Sequence, residues 1–252
     1  GWRGEIVPGW RIGEVPNGGY LLAIAGRVLS EALAQPDPLS LHILFTAPTG
    51  LGPIDCEVQP LREGGSTSFA ALSMQQGGEL KAYVTGCYSD LARLEGESWS
   101  SVERPEIPPP EAVPPLGTHG IELRESVNQH YLRGQETFLQ REPDGSGVFQ
   151  GWLSLADGSD AGVLGLLLFA DAMAPPVFTV FGPLQWVPTL ELSVQLRARP
   201  KPGPVQVRFQ SRYLSDGVVE EDGELWDSDG RLVALSRQTS KVRVRPHPRR
   251  QS

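Results

Sequence analysis

Two polar residues of this chain, Asp171 and Gln238, stand where its hydrophobic patterning calls for apolar ones, and the first is a carboxylate placed for base chemistry. Asp171 follows Leu164, Leu167 and Leu168 at helical spacing, so it shares the apolar stripe of a helix expected near residues 160–172. A carboxylate there is desolvated and lies toward the negative end of the helix dipole. Both effects raise its pKa toward the strength of a useful base. The alternative is that Asp171 only bonds backbone in the turn Ala172-Met173-Ala174-Pro175, and the residue pattern leaves both open. Gln238 falls on the Leu232, Ala234, Ser236 side of its strand, where a long amide is out of place. Thr189 opens a strand, a common place for threonine, and is weak on its own.

A complementary group lies near the start of the chain. Asn17 is a plausible cap for a helix expected near 19–33, which places the N–H groups of Gly18, Gly19 and Tyr20 at its positive end. Glycines there let a substrate carbonyl approach closely, while a steric need for glycine at a tight turn explains them equally well. Other chemistries lack their residues. The nearest approach to a nucleophile elbow, Gly64-Gly65-Ser66-Thr67-Ser68, fails at its last position. Neither H-E-x-x-H nor paired C-x-x-C occurs, and no G-x-G-x-x-G follows a strand, so neither a metal nor a cofactor is expected. His42 is expected to be a satisfied structural histidine, and Cys56 and Cys87 packing residues.

The elements that must position these residues occur twice. Leu39 to Pro48 is echoed by Leu190 to Pro200, Gly52-Pro53-Ile54 by Gly203-Pro204-Val205, and Gly78 to Ala82 by Gly230 to Ala234. In this alignment Thr189 corresponds to Pro38 and Gln238 to Gly86, so the polar set is confined to the second copy. Turn signals bound strands near 39–47, 53–62, 67–76 and 79–88 in the first copy. In the second they bound 121–131, 147–155, 189–199, 204–213, 217–228 and 231–244, with the 160–172 helix ended by Pro175-Pro176. A helix that is apolar nearly all round needs a sheet curled about it. The expected fold is therefore α+β, a double hot-dog. Residues 1–92 form one unit, 93–118 a stiff Pro-rich linker running outside, and 119–252 the second unit.

The 252 residues carry a net charge of −8, which argues against a nucleic-acid partner. Local basic clusters remain at Arg197, Arg199 and Lys201, expected to be a solvated strand end, and from Lys241 to Arg250. Two cysteines are too few for a secreted disulfide framework, so the cytoplasm is the expected location. The longest apolar run, Ala161 to Ala170, falls well short of the ~20 residues that cross a bilayer, and no membrane association is expected.

Short motifs in the same order resemble the acyl-CoA thioesterase II type of double hot-dog thioesterases. They are Trp10-Arg11-Ile12-Gly13, Asn17-Gly18-Gly19-Tyr20-Leu21, Phe45-Thr46-Ala47-Pro48 and Pro60-Leu61-Arg62-Glu63-Gly64 in the first half. In the second half they are Ala170-Asp171, Thr189-Leu190-Glu191-Leu192-Ser193 and Asp229 to Gln238. The resemblance implies that Asp171, Thr189 and Gln238 hold a nucleophilic water, and the helix start at Gly18, Gly19 and Tyr20 is expected to face the substrate carbonyl. It implies an acyl-CoA substrate hydrolysed to free acid and CoA, and admits a homo-oligomer. Leu190-Glu191-Leu192 replaces the family's usual acidic-His pair after the threonine, which bears on substrate range. A non-catalytic acyl or acyl-CoA binding protein on the same fold is the alternative.

Overall fold

Alternating burial along the strands and two apolar helices build one continuous antiparallel sheet around a shared core. The computed structural model describes residues 1–140, 142–182 and 186–242. The first half contains β1 (Trp2–Ile6), the hairpin β2 (Arg11–Ile12) and β3 (Val15–Pro16), and α1 (Gly18–Ala32). It continues with β4 (Asp37–Phe45), β5 (Gly52–Glu63), β6 (Ser68–Gln76) and β7 (Glu79–Ser89). The second half contains α2 (Leu123–Ser126), β8 (Val127–Tyr131), β9 (Val148–Leu155), α3 (Gly162–Phe169) and α4 (Phe178–Phe181). It closes with β10 (Thr189–Leu196), β11 (Val205–Gln210), β12 (Leu214–Ser215), β13 (Val218–Trp226) and β14 (Leu232–Lys241). The basic stretch at 243–250 lies outside the described residues.

The strand order is β1-β5-β6-β7-β4-β10-β14-β13-β11-β9-β8, with β12 on β13. The halves join where β4 pairs β10, His42 opposite Ser193 and Ile43 opposite Leu192. On either side of that seam the register repeats. Leu41 faces Gly86, which faces Ala70; Leu192 faces Gln238, which faces Glu221. The sequence repeat is thus a structural one, and the fold is the double hot-dog. The large hydrophobic core draws on both halves, including Leu22, Leu29 and Leu41 with Leu166, Phe169 and Leu192, and a smaller cluster forms around Val177, Val219 and Val242.

The two helices touch because glycines let them. A Cβ on Gly19 would lie 2.4 Å from the Leu168 carbonyl oxygen, and one on Gly26 would lie 2.6 Å from Leu167 Cδ1. The second helix is shorter than its pattern predicts: it ends at Phe169, six residues before Pro175. Its last turn tightens, with the Asp171 N–H on the Leu168 carbonyl, and the Asn17 side chain takes the Asp171 carbonyl from outside. That external partner draws the chain off its helical path. Residues 123–126 likewise form a helical turn instead of the start of a strand. Glu122, just before it, is clamped by Arg11 at 2.7 Å and by the Gly9 N–H, which ties the segment to the first half.

The Pro-rich segment lies against the second half. Its Pro105 carbonyl accepts from Gln206 at 2.7 Å, Pro108 from Trp152 at 2.9 Å, and the Leu116 N–H donates to Gln129 O at 2.7 Å. Val113 is buried in it. The segment therefore covers the outer side of β8, β9 and β11, and its bonds satisfy polar groups of buried Trp152 and Gln206.

Candidate functional site

The site forms where the N-terminus of α1 meets the C-terminus of α3. Asn17 caps α1, its Oδ1 accepting the Tyr20 N–H at 3.0 Å. Its Nδ2 donates to Asp171 Oδ2 at 2.9 Å and to the Asp171 carbonyl at 2.6 Å. The Gly19 N–H donates to the same Oδ2 at 3.1 Å. A Cβ on Gly18 would lie 2.9 Å from Asp171 Oδ2 and 2.8 Å from Phe45 Cζ, so the glycines admit the carboxylate against the backbone. Asp171 keeps part of its surface open. Burial pushes its carboxyl up to about 6, against the hydrogen bonds from Gly19, Gly18 and Asn17 that favour the charged form. The helix end in contact with the carboxylate is the positive one of α1, which opposes the rise expected from α3's own dipole.

The N–H groups expected to face a substrate carbonyl are engaged: Gly18 and Gly19 act on Asp171, and Tyr20 bonds the cap. The structure also brings Thr189 and Gln238 together across β10 and β14. Thr189 Oγ1 donates to Gln238 Oε1 at 2.9 Å, with Ser240 Oγ 3.4 Å from the same hydroxyl oxygen. Gln238 is buried.

Two further residues join them. Asn17, named from sequence only as a cap, also holds the acid. Glu221 lies opposite Gln238 on β13, buried like it, and close enough for Gln238 and the Asp171 charge to act on its carboxyl. The signal for Glu221 was an alternation, Val219, Glu221, Gly223, Leu225, in which one acid occupies the buried face. Burial, with the Asp171 charge behind it, holds the Glu221 carboxyl well above the usual carboxylate range.

The matching positions of the first half are Pro38, Ala70 and Gly86, all without a polar side chain. A Cβ on Gly86 would meet Leu41 at 2.8 Å, Tyr88 at 3.1 Å and Leu29 at 3.2 Å. Tyr88 fills that half's core and donates its hydroxyl to the Gly26 carbonyl at 2.9 Å. Only the second half carries the polar constellation.

The remaining candidates have structural partners. His42 Nδ1 lies 2.8 Å from Ser193 Oγ and 3.4 Å from Glu191, in a shallow cleft on the other face of the sheet from Gln238. Arg199, expected in a solvated cluster, is exposed and also pairs with buried Asp37 at 2.9 Å, tying the segment after β10 to the start of β4. Both cysteines are free, and burial pushes the Cys56 thiol up to about 11, away from nucleophilic use. Among the described residues no group of three His, Cys, Asp or Glu could hold a metal ion, and no helix is long and apolar enough to cross a membrane.

Known proteins share this plan. Residues 6–89 match the family described as the acyl-CoA thioesterase N-terminal domain, and residues 103–242 match the acyl-CoA thioesterase C-terminal domain. A proposed thioesterase II from Thermobifida fusca is 29% identical, with a TM-score of 0.87 over 96% of this chain and 91% of that one. A hot-dog protein of unknown function from Alicyclobacillus acidocaldarius is 21% identical, with a TM-score of 0.86 over 97% and 93% of the two chains. The thioesterase-like protein TwmA of Talaromyces wortmannii is 23% identical, over 96% of this chain and 87% of its own length.

Proposed function

Since the chain belongs to the acyl-CoA thioesterase family, matched in both halves, we propose that it hydrolyses acyl-CoA thioesters to the free acid and CoA. The observation that carries this is Asp171, a partly open carboxyl raised to about 6 and gripped by the helix end of the other half. At neutral pH it is ionised yet basic enough to accept a proton in the transition state.

Asp171 removes a proton from a water that Thr189 and Gln238 orient. The water oxygen bonds to the thioester carbon while the carbonyl π pair moves onto oxygen. Collapse re-forms the carbonyl and breaks the C–S bond, and CoA leaves as a thiolate that takes up the proton. The positive end of α1 serves both stages: it stabilises the Asp171 carboxylate first. As the carboxyl becomes neutral, its hold on the Gly18 and Gly19 N–H groups weakens and they turn to the developing oxyanion, while the Tyr20 N–H stays on the Asn17 cap. A thiolate leaves readily, so the step needs no cofactor.

Thiol release across a panel of acyl-CoAs tests the proposal. Turnover that rises with enzyme concentration and saturates with substrate is expected. Binding of acyl-CoA without thiol release would favour a binding protein on the same fold.

A further inference from the structure

Glu221 is a buried carboxyl that the mechanism above leaves unused. It is 7% exposed on the inner face of β13, and no cation among the described residues offsets its burial. The fold does not require an acid there. Ala70 occupies the equivalent place in the first half, 0% exposed and opposite Gly86 as Glu221 is opposite Gln238. Placing a carboxyl at such a position without a cation costs stability, so its presence calls for a local use.

That use is visible in the pairing across β13 and β14. Gln238 lies directly opposite Glu221, both buried, and Thr189 Oγ1 donates to its Oε1 at 2.9 Å, which leaves the amide N–H for the neighbouring carboxyl. An amide free to turn over would present N–H to Thr189 instead, and the hydroxyl would then have to accept from it. We propose that Glu221 is a positioning residue for the water site, fixing the Gln238 amide so that the Thr189 hydroxyl commits its proton to Gln238 and turns its lone pairs to the water. The inference rests on the thioesterase function proposed above. Burial and the nearby Asp171 charge favour the protonated form of Glu221. Its carbonyl oxygen still accepts the amide, and glutamine is its near-isostere.

The test compares Glu221→Gln, which keeps an acceptor oxygen at the same reach, with Glu221→Leu, which has none. With acyl-CoA as substrate, Glu221→Leu should lower kcat about 10- to 100-fold with KM within twofold, the scale of a lost orienting contact. Glu221→Gln should stay within about threefold of the wild type in kcat. In a Gln238→Ala background, Glu221→Leu should lower kcat by less than about twofold further, because the two residues act as one unit. Should leucine prevent folding, Glu221→Met carries the same comparison. Wild-type kcat in Glu221→Leu, equal losses in the Leu and Gln variants, or a full additional loss in the Gln238→Ala background would each overturn the inference while leaving the thioesterase function standing. A wild-type chain that releases no thiol from any acyl-CoA would overturn both.

Discussion

Asn17 of the first half holds Asp171 of the second, its Nδ2 2.9 Å from the carboxylate and 2.6 Å from the same residue's carbonyl oxygen. The duplicated halves are chemically unequal, and this contact joins them: one supplies a helix end, the other an acid. Asn17→Ala removes the cap and both bonds. Loss of a cap alone costs about 1 kcal/mol. We expect a lower melting temperature together with a kcat reduced at least tenfold, measured by thermal unfolding and thiol release.

The pH dependence follows from the same acid. Asp171 must be ionised to act as base, and its carboxyl sits at about 6. The kcat/KM profile should be flat above about pH 7 and fall about tenfold per unit well below pH 6. A profile level down to pH 4.5 would mean that another group takes the proton.

Stability should move the opposite way. The folded Asp171 pKa lies above its unfolded value of 3.8, so this group contributes no penalty below about pH 4 and an increasing one as pH rises through about 6. At neutral pH the penalty is on the order of 2–3 kcal/mol. Asp171→Asn should therefore unfold at higher urea concentration than the wild type at pH 7.5, with the gap closing near pH 4.

Much of this was legible in the residues. The near-constant spacing of the repeat, with Thr189 opposite Pro38 and Gln238 opposite Gly86 in the alignment, anticipated both the double hot-dog and the half that carries the polar set. What stayed hidden was tertiary. Spacing placed Asp171 on a helix stripe, but the end of α3 is decided by a partner 154 residues away in sequence. Glu221 was masked by its neighbours Glu220 and Asp222, because a run of acids reads as a solvated face until the strand's alternation is followed. The clustered arginine, Arg199, is exposed as its cluster suggests, but its ion pair stayed hidden because its partner Asp37 belongs to the other half.

Gly19 should be intolerant of even one carbon. A Cβ there would press on two main-chain oxygens, Leu168 at 2.4 Å and Leu167 at 2.9 Å, and backbone cannot swing aside as a side chain can. Gly19→Ala should lower both stability and kcat, whereas Gly26→Ala, facing the Leu167 and Leu164 side chains, should lose less of each. Parallel thermal melts and turnover of the two variants check the order.

The most direct measurement is thiol release by Asp171→Asn beside the wild type, with circular dichroism confirming an unchanged fold. If Asp171 is the base, kcat on acyl-CoA should fall about 100-fold or more in the variant, the scale of a lost general base, with KM little changed. Wild-type turnover in a folded Asp171→Asn would contradict the assignment.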